Sequence, residues 1–147
     1  MKTGKLILYQ SLKAIFLHID NHEKSLLNKF DLSVARFYTL MHIHNNPGIN
    51  YIDLSDLMLC TKSNTTRIVS SLQKDGFVDR SPHPIDGRVY QLALTAKGEG
   101  LYKKVYPEYI KQINGLMSIF NEKELENYTE VSHQIERKLA PVINSIG

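Results

Sequence analysis

Thr61-Lys62-Ser63-Asn64-Thr65-Thr66-Arg67-Ile68-Val69-Ser70-Ser71-Leu72-Gln73-Lys74-Asp75-Gly76 runs directly into Phe77-Val78-Asp79-Arg80-Ser81, then Pro82-His83-Pro84-Ile85-Asp86-Gly87-Arg88, then Val89-Tyr90-Gln91-Leu92-Ala93-Leu94-Thr95. Thr61 is a good N-cap, Ile68, Val69 and Leu72 form a buried row, and Gly76 supplies a left-handed stop. The remainder reads as two short strands, with Pro82, Pro84 and Gly87 marking the loop between them. Facing away from the apolar row are Lys62, Ser63, Asn64, Thr66, Arg67 and Ser70. A merely solvated helix face is usually rich in Glu, whereas this one meets no acid until Asp75. Short polar side chains let a helix backbone approach base edges. Arg reaches guanine O6 and N7 together, Asn reaches adenine, and Lys and hydroxyls suit phosphate oxygens. The pattern predicts a helix for a DNA major groove and a hairpin for the adjacent minor groove or backbone.

At the hairpin tip stands Asp86-Gly87-Arg88. Asp86 is placed to accept hydrogen bonds from the Arg88 guanidinium and from turn amides, fixing the loop and aiming Arg88. A narrow minor groove offers such a cation enhanced negative potential. Arg80 and His83 join Asp86 and Arg88 as candidate contacts from the hairpin. An Asp-Gly turn with an incidental surface ion pair is the plainer alternative, worth little energy.

The chain around this stretch has 147 residues, 42% hydrophobic and 22% charged, which is one domain's worth with enough apolar content for a core. A net charge of +3 is too mild to argue for nucleic acid by itself. Its distribution says more. Residues 61–88 carry five cations against three acids, while residues 121–147 carry three cations against five acids. The single cysteine, Cys60, excludes an intramolecular disulfide and fits a reducing compartment. The sequence shows neither a signal-peptide pattern nor a membrane-length apolar run, so a cytoplasmic protein without membrane attachment is expected.

Leu8, Leu12, Ile15, Phe16 and Ile19 recur at helical spacing, predicting a first helix from about Lys5 to Lys29. Ser33 caps a second through about Asn45, with Phe37, Leu40, Met41 and Ile43 inward, and Asn46-Pro47-Gly48 ends it. Asn50 with Asp53 caps a third to about Leu59, burying Ile52, Leu54, Leu57 and Met58. Thr95 caps a long helix that Gly98 and Gly100 weaken at its start and Pro107 kinks. Asn121 with Glu124 opens a last helix as a capping box, in which Ile135, Leu139, Val142 and Ile146 form one stripe that Pro141 interrupts. These outer helices have more apolar surface than the small central unit covers, which predicts a partner chain.

Leu54-Ser55-Asp56-Leu57, Thr65-Thr66-Arg67-Ile68-Val69, Leu72, Asp75-Gly76-Phe77-Val78, Asp86-Gly87-Arg88 and Leu92-Ala93-Leu94-Thr95-Ala96-Lys97-Gly98 together resemble the winged helix-turn-helix core of the MarR family of bacterial regulators. The resemblance implies a mainly α winged-helix (α+β) fold, with residues 1–147 as a single domain. Residues 32–100 would form the DNA-binding core, and residues 1–30 and 101–147 the dimerisation helices. It also implies a homodimer on a pseudo-palindromic double-stranded operator, a recognition helix matching Thr61–Lys74, and a wing matching Arg80–Val89. Control would come from small anionic or phenolic ligands, metals or cysteine oxidation, depending on the member. A repressor released by a small-molecule effector is the expected form, with His18, Tyr38 and His42 as candidate effector-pocket residues and no cofactor.

Rival readings attach to the same residues. Cys60 near a helix N-terminus is a candidate thiol sensor. It falls where the family pattern places a small apolar residue, and the first helix lacks the cysteine of the peroxide-sensing members. His18 and His22 stand at metal-ligand spacing, with His42 and His44 adding imidazoles, but residues 96–119 offer no His or Cys, so no metal site is expected. Tyr9 and Tyr38 are candidates for the border of an effector cleft. A metal- or thiol-responsive regulator, and a winged-helix protein-interaction module without DNA binding, are the alternatives. No nucleophile–base–acid arrangement, glycine-type phosphate loop or carboxylate cluster points to an enzyme.

Overall fold

The computed structural model describes residues 3–146, with side chains described as far as Ala140. In chain order the elements are α1 (Gly4–Asn28), α2 (Val34–Asn45), α3 (Tyr51–Met58), α4 (Lys62–Lys74), β1 (Val78–Pro82), β2 (Tyr90–Leu94), α5 (Ala96–Met117) and α6 (Glu122–Ile146). It is a mainly helical winged-helix fold. Each expected cap is in place. Ser33 accepts from the Arg36 amide, Asn50 from Asp53, Thr61 from Asn64 and Thr95 from Gly98. Asn121 and Glu124 exchange reciprocal side-chain-to-amide bonds at 2.8 and 3.2 Å, a complete capping box.

The core gathers Leu27, Phe37, Leu40, Ile43, Leu54 and Leu72 from the first four helices with Val78 and Leu92 of the strands and Tyr102 and Val105 of α5. On α4 the buried positions are Thr65, Val69 and Leu72, with Ile68 half-buried beside them. On α3 the expected burial is corrected: Leu54 is buried and Met58 half-buried, but Ile52 and Leu57 are 59% and 44% exposed. An eight-residue helix turns one arc to the core, and that arc holds Tyr51, Leu54, Ser55 and Met58 at helical spacing. Leu59 follows at φ 52°, a left-handed turn into α4 made without glycine.

The two strands pair antiparallel, with Val78 opposite Leu94 and Pro82 opposite Tyr90. Ile49 adds a bridge to Leu92, so the segment before α3 is stitched to the sheet by bonds at 2.8 and 2.9 Å. Gly76 takes φ +81° as the helix stop expected of it. Gly98 has a different reason to be glycine. A Cβ there would stand 2.1 Å from the Phe77 carbonyl oxygen, so α5 can only pass the start of the wing without a side chain. α5 contains Pro107 and runs on to Met117.

The outer helices leave their apolar side chains open. Ile7, Leu8, Ile15 and Phe16 of α1 are all more than half exposed, and burial on α1 begins only at Leu26 and Leu27. No side chain of α6 among the described residues is buried, and Leu139 is 60% exposed. Tyr9, Leu12 and Phe16 of α1 face Val131, Ile135 and Leu139 of α6 across an open groove. The side chains of Pro141, Val142 and Ile146, part of the expected stripe and its break, lie outside the described residues.

Candidate nucleic-acid interface

All six outward candidates of α4, Lys62, Ser63, Asn64, Thr66, Arg67 and Ser70, are exposed. The Arg67 guanidinium donates to Asn64 Oδ1 at 2.6 Å, which aligns these two polar side chains of the face on adjacent turns. Thr66 turns its hydroxyl back to the Lys62 carbonyl at 2.9 Å and so leaves its methyl outward.

The wing tip is built by side chains folding onto the loop. Asp86 Oδ1 accepts from both the Arg88 amide and the Arg88 Nε at 3.1 Å, while Oδ2 takes Nη2 at 3.4 Å. The Arg88 bonds hold the Asp86 carboxyl below the usual carboxylate range. Arg88 is 92% exposed, so this fork tethers the side chain without removing it from reach of a ligand. His83, placed among the candidate contacts, has a structural duty: its Nδ1 accepts from the Ile85 and Asp86 amides at 3.1 and 3.2 Å. Arg80 lies over the Tyr90 ring at 4.3 Å, a cation–π contact across the strands.

Several contacts that sequence reading missed fix the angle between α4 and the wing. Arg36 of α2 reaches Asp75 at the end of α4, and Lys97 of α5 donates to the Asp75 carbonyl at 2.8 Å. The Thr95 hydroxyl donates to the Gly76 carbonyl at 2.6 Å while accepting from Gly98, so one residue closes α4 and opens α5. Sequence pattern marked Thr95 and Gly76 as caps but gave no sign of their pairing.

Behind α4 the three effector candidates do not converge on one site. His18 lines a cleft of about 460 Å³ between α1 and α5. Tyr38 and His42 line another, of about 900 Å³, bounded by α1, α2 and the start of α4, which also touches Cys60, Asn64 and Arg67. Glu23 lines both, and sequence reading passed over it. The available signal was spacing: Glu23 stands three and four positions before the buried Leu26 and Leu27, an acid on an inward face. Its Oε1 accepts from the Tyr38 hydroxyl at 3.0 Å, and Tyr38 meets the Tyr109 hydroxyl at 3.0 Å. Burial pushes the Glu23 carboxyl and the Tyr38 phenol up, and the His42 imidazole down. Tyr9 lines neither cleft but the α1–α6 groove. Cys60 Sγ sits 3.1 Å from Thr65 Oγ1 beneath α4. Among the described residues, no group of three or more His, Cys, Asp or Glu side chains is placed to hold a metal.

The sequence profile of the MarR family matches residues 32–90, from just before α2 to the first residue of β2. The transcriptional regulator BilQ of Clostridium symbiosum is 30% identical over 101 residues, covering 69% of this chain and 70% of that one. The chain belongs to the MarR family. It is accordingly a DNA-binding transcriptional regulator, and the expected family resemblance holds. A MarR protein from Peptoclostridium difficile superposes with a TM-score of 0.86 at 22% identity, over 100% of this chain and 96% of that one. FabT of Streptococcus pneumoniae, solved in complex with DNA, gives a TM-score of 0.78 at 20% identity over 92% and 96% of the two chains. In MarR terms, α3 and α4 are the helix-turn-helix and β1–β2 the wing. No helix among the described residues is long and apolar enough to cross a membrane.

Proposed function

We propose that this protein is a homodimeric, sequence-specific repressor of the cytoplasm that binds an inverted-repeat operator through α4 and the wing and is released by a small molecule. The observation that carries the DNA reading is the acid-free, wholly exposed face of α4 set beside a tethered, solvent-reaching Arg88. Lys62, Ser63, Asn64, Thr66, Arg67 and Ser70 would read or grip the major groove. Arg80 and Arg88 would reach the minor groove or backbone, with Asp86 and His83 ordering the tip.

Residues 32–100 serve as the DNA-binding core in this reading, and residues 1–30 and 101–147 as the dimerisation helices, because the open apolar faces of α1 and α6 need a cover. Release would act through the cleft that holds Tyr38 and His42, whose wall includes Asn64 and Arg67. A molecule wedged there would alter the position of the reading helix. A gel shift of the full chain against genomic fragments at moderate salt tests the reading, followed by sequencing of the retained DNA. Retention of fragments sharing a pseudo-palindrome is the expected result. Binding without sequence preference, or none, would sink it.

A further inference from the structure

Ile85 is the most exposed large apolar side chain among the described residues, at 92%. Ile7, Leu8 and Phe16 belong to a broad open face of α1, and Leu139 to one of α6. Ile85 belongs to neither. It stands at the wing tip between Pro84 and Asp86, three positions before Arg88. A lone exposed isoleucine is ordinary on a protein surface, but this one shares the tip of a nucleic-acid probe with its most exposed cation.

The loop around it is built to hold it still. The His83 amide donates to the Val89 carbonyl at 2.7 Å, and the Val89 amide donates to the Asp86 carbonyl at 3.0 Å. The Ile85 amide itself donates to His83 Nδ1 at 3.1 Å. Pro82 and Pro84 fix φ on either side of His83. The backbone of Ile85 is thus anchored while its side chain stays in solvent. Branching at Cβ also stiffens χ1, so little freedom is left to lose on binding.

Isoleucine has no polar group with which to read a base edge. An apolar side chain entering a minor groove instead displaces water and pries a base step apart. That cost depends on the step: pyrimidine–purine steps unstack readily, whereas A-tracts are stiff and narrow. Arg88 alone would favour the narrow groove, where the negative potential is strongest. The two tip side chains therefore make opposite demands on the DNA, and the favoured sequence reveals which one prevails.

We propose that Ile85 is a minor-groove wedge that selects a pyrimidine–purine step where the wing meets the operator. This rests on the reading of the wing as a DNA probe and adds a readout of DNA deformability to it.

The test uses the full chain and the operator fragment retained in the gel shift. Base pairs whose hydroxyl-radical protection is lost in Arg88→Ala mark the position of the wing. Two duplexes then carry either alternating T·A steps or an A-tract at that position, with equal base composition. The parent should bind the alternating duplex about tenfold tighter, the size of one base pair's discrimination. Ile85→Ala keeps the backbone amide on His83 and should erase the preference, while Ile85→Leu should retain it. Fluorescence of 2-aminopurine placed in the alternating step should rise when the parent binds and stay flat with Ile85→Ala. Equal binding of the two duplexes by the parent, preference for the A-tract, an undiminished preference in Ile85→Ala, or a silent reporter each overturns the wedge while leaving the wing on DNA. If Arg88→Ala loses no protection, or no fragment is retained, the reading of the wing as a DNA probe fails and the wedge falls with it.

Discussion

Arg36 on α2 and Asp75 at the end of α4, thirty-nine positions apart in the chain, meet Nη2 to Oδ2 at 2.6 Å. The guanidinium also lies 5.8 Å from the centre of the Phe77 ring, so one cation ties the C-terminus of α4 to the helix behind it and to the base of the wing. Both side chains are partly solvated, which limits the stability at stake. Asp75→Ala should lower unfolding free energy by about 1 kcal/mol in urea titrations. It should also weaken operator binding, because α4 loses an anchor at one end. Unchanged DNA affinity would show that Lys97 and Thr95 suffice to hold the angle.

Gly98 and Gly100 look alike in sequence and should behave oppositely. A Cβ at Gly98 meets the Phe77 carbonyl at 2.1 Å, while one at Gly100 meets nothing within 4 Å. Gly98→Ala must push α5 off the wing and should cost about 3 kcal/mol. Gly100→Ala should gain about 0.5–1 kcal/mol from helix propensity alone. Thermal melts of the two variants settle the sign, and a tolerated Gly98→Ala would contradict the close approach.

What could be read in advance was local. Ser33, Asn50, Thr61, Thr95 and Asn121 were legible as caps because a cap is decided within four residues. The exposed face of α4 and the Asp86–Arg88 fork were legible for the same reason. Arg36–Asp75, the Ile49–Leu92 bridge and the Glu23–Tyr38–Tyr109 chain were not, since each depends on which helices or strands meet. His18, Tyr38 and His42 were expected in one effector pocket but line two separate clefts, because periodicity gives the face of a helix and not the neighbour it faces. Ile52 and Leu57 failed because apolar residues on a short helix need not share its one buried arc.

At the wing, the variants should rank by how directly each touches Arg88. Arg88→Ala should lose about 1–3 kcal/mol of operator affinity, and Asp86→Ala less, because the cation remains but is freed from its fork. His83→Ala should resemble Asp86→Ala by removing the acceptor for two loop amides, and His83→Asn should recover part of the loss through Oδ1. Fluorescence anisotropy on a labelled operator measures all four. Parental affinity in both Arg88→Ala and Asp86→Ala would make the wing structural only.

Glu23 predicts a pH dependence with a definite sign. Its carboxyl titrates higher in the folded protein than in the unfolded chain, chiefly through burial. The folded state therefore binds the proton more tightly, and the contribution to stability is full below the unfolded value and lost as pH rises through the folded one. Glu23→Gln should melt higher than the parent at neutral pH, with the gap closing near pH 4. A variant that melts lower at neutral pH would mean that Tyr38 bonding outweighs desolvation.

Dimerisation and operator geometry stand or fall together. Phe16 is 59% exposed on the α1 side of the α1–α6 groove, and it also borders the cleft behind α4. Phe16→Glu puts a charge where an apolar cover is required, and its burial unpaired would cost more than the contact returns. Light scattering should report a shift toward monomer with the helical circular-dichroism signal retained. Tight DNA binding should fall with it, since one monomer reaches one half-site. In the proposed dimer of the parent, a two-fold axis would relate two copies of α4, which would require an inverted repeat with half-site centres about one helical turn, roughly 10 bp, apart. Each neutralised phosphate adds about 0.9 to the log–log salt slope, so the dimer should show a steep slope and Phe16→Glu a shallower one. Inserting about 5 bp between half-sites turns one of them to the opposite face of the duplex and should abolish tight binding by the parent while leaving Phe16→Glu unaffected. A parent indifferent to that insertion would contradict the paired docking of the two helices, and a Phe16→Glu protein that stays dimeric would place the interface elsewhere.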